Sequence, residues 1–182
     1  MLTDPDVKAP PALVFYVLIR QSLLEAGVED RATADYVASV VTAFGRGRRA
    51  YTVSDDSDEE YRYLVDMVAR LGNSGPREAF LLQTHLGDYS LWLAGLFPDY
   101  VEARTRRKGA PSVDYYERMG STGYRQAAGS KEARTLGVEK VLEAVGRRFG
   151  EARVALNCVA ERYLWPQANP LSRLLRQDEQ GR

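Results

Sequence analysis

"QTHLGDYSLWLAGLFPDY", residues 83–100, contains the only histidine of the chain, His85, three positions before Asp88 and inside the longest apolar stretch. How that stretch is read decides the fold. Residues 79–97 approach the length of a membrane span, but Gln83, Thr84, His85, Asp88 and Ser90 interrupt them, and charge is costly in lipid. The pattern therefore predicts a buried helix. At about 100° per residue, Leu81, Leu82, His85, Asp88, Tyr89, Trp92 and Leu96 share one broad, bulky side. Gln83, Gly87, Ser90, Ala94 and Phe97 form the smaller one. Both sides are mostly apolar, so the helix, spanning about 76–97, is expected to be the central element of the fold with neighbours on either side. Small residues at 87, 90 and 94 let a second helix approach closely, and "YYERMGSTGYRQAA", small at 120, 123 and 127, is the matching partner.

The flanking sequence repeats the helical theme. "PPALVFYVLIRQSLLEAG" begins with Pro11 at a first-turn position, places Leu13, Tyr16, Val17, Arg20, Leu23 and Leu24 at helical spacing, and ends at Gly27. In "EDRATADYVASVVTAFG", Asp30 is the expected cap and Tyr36, Val37, Val40, Val41 and Phe44 the inward stripe. The polar tract from Gly45 reads as a mobile loop, with five acids between Asp55 and Glu60. Ser57 with Glu60 then resembles a capping box for a third helix that turns Tyr61, Leu64, Val65 and Val68 inward and stops at Gly72. Pro98 ends the long helix and opens a short basic one. Ser112 caps the next, in which Gly120 and Gly123 either admit a neighbouring backbone or break the helix. "GVEKVLEAVGRRF", "GEARVALNCVAERYLW" and a short segment after Pro170 complete the set. The sum is an all-α, single-domain bundle of about seven or eight helices over residues 11–177, with flexible ends at 1–10 and 178–182.

Composition narrows the function classes. The 182 residues suit one domain, and 45% hydrophobic with 27% charged residues is ordinary for a folded soluble chain. Twenty-five basic residues balance twenty-five acidic ones, so no global field recruits nucleic acid or an anionic membrane, and near-zero net charge favours self-association. A single cysteine, Cys158, forms no internal disulfide or thiolate cluster, and the first apolar run lacks a signal-peptide pattern; a cytoplasmic setting is expected.

Candidate chemistry centres on the opening segment. At i and i+3, His85 and Asp88 can reach one another, either as a self-satisfied polar pair or as a ligand or general base oriented by a carboxylate. A pocket around His85, Asp88, Tyr89 and Trp92 would face Asp114, Tyr116 and Glu117. Even with Glu78 added, this set is one histidine short of a carboxylate-bridged di-metal bundle, and no Glu-x-x-His motif is present, so no metal is assigned. Haem ligation by one histidine needs no motif and finds no positive sign, and the cofactor stays unknown. "GSTG", 120–123, lacks the context of a phosphate loop and reads as close packing. Arg104, Arg106, Arg107 and Lys108, beside Tyr100, form a basic cluster of the kind that binds single-stranded nucleic acid, with "RGRR", 46–49, as a second.

Three functions follow in order. The first is a protein acting by self-association, as a homodimer, or by binding another protein in a regulatory or scaffolding role; eleven tyrosines suit such contacts. The second is a ligand-, metal- or haem-binding protein or enzyme with its pocket at His85 and Asp88. Nucleic-acid binding through 104–108 is third, and no membrane association is expected. With no nucleophile elbow, Cys/His pairing or zinc-protease motif, the sequence leans away from catalysis.

Overall fold

A computed structural model describes residues 10–28, 30–44 and 64–164. The 45–60 loop, Tyr61, the segment after Pro170, and the ends expected to be flexible, apart from Pro10, lie outside them. Among the described residues the chain is all α, with nine α-helices and no strand. They are α1 (Pro11–Glu25), α2 (Arg31–Phe44), α3 (Leu64–Leu71), α4 (Pro76–Leu96), α5 (Pro98–Lys108), α6 (Val113–Ala128), α7 (Lys131–Leu136), α8 (Glu139–Arg147) and α9 (Phe149–Val159), which runs on into a π-helical turn, Ala160–Leu164.

Local chemistry sets the helix ends. Asp30 accepts the amides of Ala32 (3.3 Å) and Thr33 (3.1 Å), and Ser112 accepts that of Tyr115 (3.3 Å). These satisfy amides that have no helical partner in a first turn. Ser130 does the same for Ala133 at 3.0 Å, starting α7, a six-residue helix that periodicity had not separated. Gly109 and Gly137 close α5 and α7 in the left-handed conformation, at φ 61° and 70°.

Packing is built on α4 and α6, which form the most extensive helix contact. Glycines set their separation. A Cβ on Gly123 would lie 2.7 Å from the Gln83 carbonyl oxygen, one on Gly87 2.6 Å from the Tyr124 ring, and one on Gly120 2.8 Å from the Ser90 Cβ. The expected pairing of 87 and 90 with 120 and 123 is therefore present, and α6 runs unbroken through its glycines. Gly95 leaves the same kind of space for Leu156 of α9.

Two apolar clusters result. Phe80, Leu91 and Leu96 of α4 join one formed with α1, α2 and α6 to α9. Leu82, Leu86, Tyr89, Leu93 and Ala94 join the other, with Phe44, Met67, Val101 and Tyr116.

Two inward faces differ from expectation. In α1, Ile19 and Leu23 are buried and Phe15 and Tyr16 pack on the core, whereas Leu13 and Val17 point outward. Residues 11–19 of the helix are all apolar, so their spacing marks no inner face. In α3, Met67 is buried and Val68 is exposed, because the inward row runs through Met67 and Leu71 at i and i+4.

Candidate functional site

Three helices converge on Asp88. From α2 the Tyr36 hydroxyl donates to its Oδ1 at 2.9 Å, and from α6 the Tyr124 hydroxyl donates to the same oxygen at 2.7 Å. The two rings meet edge to face, 6.0 Å apart. Tyr124 is fully buried, while Tyr36 and Asp88 are partly buried. Gly87 makes the arrangement possible by leaving room for the Tyr124 ring one residue before the carboxylate.

No cation compensates this carboxylate among the described residues. Burial pushes its pKa up from 3.8 to about 6, with the hydroxyls of Tyr124 and Tyr36 acting in the opposite direction by stabilising the ionised form. Both tyrosines are raised well above their ordinary range, first by burial and then by the neighbouring negative charge of Asp88. Burial thus favours the protonated carboxyl more than in a free aspartate, while the phenols stay protonated as donors.

The expected pairing of His85 with Asp88 is not what the fold builds. His85 is buried in the other environment of α4, stacked on Phe44 (5.7 Å between centroids) and Tyr89 (6.4 Å). Trp92 continues this aromatic row against Phe44 (5.7 Å), Tyr89 (6.1 Å) and Phe97 (5.0 Å). Of the residues expected to face it, Tyr116 lies in the same apolar cluster as Tyr89 and Trp92, and burial raises its pKa. Asp114 is exposed, and Glu117 turns to α9, where it accepts from Arg153 Nε at 2.7 Å. Glu78 pairs with Arg70 at 2.6 Å. The acids considered for a metal thus do not converge, and among the described residues no three His, Cys, Asp or Glu side chains form a group that could hold an ion.

Further features complete the surface. Asn157 of α9 donates to the carbonyls of Ala94 (3.0 Å) and Gly95 at the end of α4, and Arg153 donates to the Asn157 oxygen at 3.0 Å. This cap is absent from the sequence expectations, since a lone asparagine in a helix gives no sign of the carbonyls it will meet. Arg104 lies over the Tyr100 ring (5.5 Å), Arg106 and Arg107 are exposed, and Lys108 is the last residue of α5. A groove of about 380 Å³ between α4 and α7 is lined by Arg77, Phe80, Leu81, Lys131, Glu132 and Leu136. Its two cations are exposed and Glu132 sits beside them, so it offers screened charges and no buried polar group to orient a ligand. Among the described residues, no helix is long and apolar enough to cross a membrane.

No protein-family model, no characterised protein and no solved structure matches the chain. Tyr36 and Tyr124 are the residues that sequence reasoning did not assign to a site. The signal for them was negative. Asp88 has no lysine or arginine three or four positions away on its own helix, so its partners had to come from elsewhere.

Proposed function

We propose that the protein works by self-association, as a homodimer formed through the uncovered face of α1. The observation that carries this reading is the mismatch between the composition of α1 and its surroundings. A helical segment that is apolar on every side, as residues 11–19 of α1 are, belongs in an interior, yet Leu13, Val14 and Val17 are 51%, 47% and 41% exposed. They form a row at i, i+1 and i+4, and Arg20, the next turn on this side, is drawn to Asp35 of α2.

A second copy is the occupant that suits this face. A two-fold axis brings identical surfaces together, so an uncharged apolar row meets its own match without like-charge repulsion. With a formal net charge of zero, two copies meet without net repulsion. A stable dimer buries about 800 Å² on each partner, more than three side chains supply. α9 packs against α1 and also carries an exposed apolar residue, Val154.

Sedimentation velocity at tens of micromolar tests the proposal. The wild-type protein should sediment as a dimer, and Leu13→Glu with Val17→Glu should sediment as a monomer with unchanged helicity, since neither side chain contributes to the core. A monomeric wild type, or a double variant that still dimerises, overturns it.

A further inference from the structure

We propose that α5 carries a site for single-stranded nucleic acid on its outer face, with a base stacked on Tyr100 and backbone phosphates held by Arg104, Arg106 and Arg107. Val101 of α5 is buried, and the Thr105 hydroxyl lies within hydrogen-bond distance of the carbonyl oxygens of Val101 (2.9 Å) and Pro111 (3.0 Å), so one side of the helix is fixed to the fold. On the opposite half, Tyr100, Arg104 and Arg107 follow one another at i, i+4 and i+7, with Arg106 beside them. From Tyr100 to Arg107 the helix axis runs about 10 Å, enough for about two or three nucleotides.

Tyr100 is 52% exposed, more than any other aromatic side chain among the described residues. The Arg104 guanidinium covers one face of its ring at 5.5 Å and donates to the phenol oxygen at 3.3 Å, which holds the ring in place and leaves the remainder open to a base. Arg106 and Arg107 are exposed, and neither has an acidic partner among the described residues. Two such guanidinium forks suit phosphate, which they bind with paired N–H donors. The last carbonyls of α5 do not need them, since the Gly109 amide donates to Thr105 (3.1 Å) and that of Ala110 to Arg104 (3.5 Å). The acids of α5, Asp99 and Glu102, lie towards its N-terminus, so the positive charge is gathered at the other end.

An anionic membrane fits this face less well. A helix lying in a bilayer surface needs a broad apolar side turned to the lipid, and apart from the Tyr100 ring the outer half of α5 offers only Ala103. A duplex also fits less well than a single strand, because its bases are stacked on one another and leave no face for the ring. With a net charge of zero on the whole chain, the affinity rests on these few contacts, so it is modest and depends on salt.

Fluorescence anisotropy of a labelled oligothymidylate, titrated with the full chain between about 20 mM and about 200 mM salt, tests the site. Three phosphate contacts, at about 0.7 each, give log affinity against log salt a slope of about −2. Arg106→Gln with Arg107→Gln should cut that slope to about −0.7 and weaken binding about tenfold or more at the low-salt end. Tyr100→Ala should weaken binding about fivefold or more and leave the slope unchanged, because stacking releases no counterions. The three substituted side chains are exposed, so both variants should keep the wild-type helicity. No binding at about 20 mM salt, a double variant with an unchanged slope, or a Tyr100→Ala protein that binds like the wild type overturns the proposal. So does equal affinity for the oligothymidylate annealed to oligoadenylate, and binding to phosphatidylserine vesicles in place of the oligonucleotide would overturn it by assigning the arginines to a membrane surface.

Discussion

Replacing Asp88 by asparagine should make the protein more stable at neutral pH. The asparagine oxygen accepts the same two tyrosine hydroxyls, and its size is close to that of aspartate, so the charge is removed and the shape kept. The folded carboxyl, at about 6 against an ordinary 3.8, holds its proton more tightly than the unfolded one. The stability linked to this group is thus fully present below 3.8 and lost as pH rises through about 6. The difference, 6 less 3.8, at about 1.36 kcal/mol per pH unit, amounts to about 3 kcal/mol. Solvent at the edge of Asp88 screens part of it, which leaves about 2–3 kcal/mol, a substantial share of a typical domain's stability. Urea unfolding followed by tryptophan fluorescence, repeated from about pH 4.5 to about pH 8, measures it. The wild type should lose up to about 1.4 kcal/mol per pH unit on the acidic side of 6 and then level off. Asp88→Asn should lack that slope and exceed the wild type at the alkaline end. Asp30 and Asp35 run the other way. The Thr33 hydroxyl and Arg20, respectively, hold their carboxyls below the usual range, so their contributions are lost only as pH falls beneath this window. An Asp88→Asn protein no more stable than the wild type at about pH 8, with the same slope, would refute the reasoning.

Two further predictions concern the contacts that hold α4 in place. Gly123→Ala and Gly87→Ala should each destabilise by about 1–3 kcal/mol net, since overpacking outweighs the roughly 1 kcal/mol that alanine brings to a helix. Gly129→Ala, at φ −70° with no contact closer than 3.6 Å, should be neutral or stabilising in the same thermal unfolding series. Asn157→Ala should cost about 1–3 kcal/mol in urea unfolding, because the carbonyls of Ala94 and Gly95 lose their side-chain donor where α4 ends; an unchanged midpoint would show that water replaces it without loss.

How far the fold could be read in advance follows from the range of each interaction. The caps at Asp30 and Ser112 act within three residues, so they are written locally. The α4–α6 contact was legible because small residues recur on one face of each helix, and that pattern survives without knowing the neighbours. α1 shows the opposite case. Leu13, Val14 and Val17 are as apolar as Ile19 and Leu23, so only the position of α2 and α9 decides which of them is covered.

The candidate site divides along the same line. Periodicity placed His85 and Asp88 on one broad side of α4 and allowed them to meet, since residues three apart on a helix are neighbours. What it could not weigh was the competition for Asp88. Tyr36 and Tyr124 stand 52 and 36 residues away in sequence, and two phenol hydroxyls on neighbouring helices satisfy a buried carboxyl better than an imidazole that must turn back along its own helix. His85 stacks instead on Phe44 and Tyr89, in the aromatic row that Trp92 continues. The pair that first suggested a single polar centre therefore separates into an aromatic seam and an acid whose ionisation is balanced between two helices.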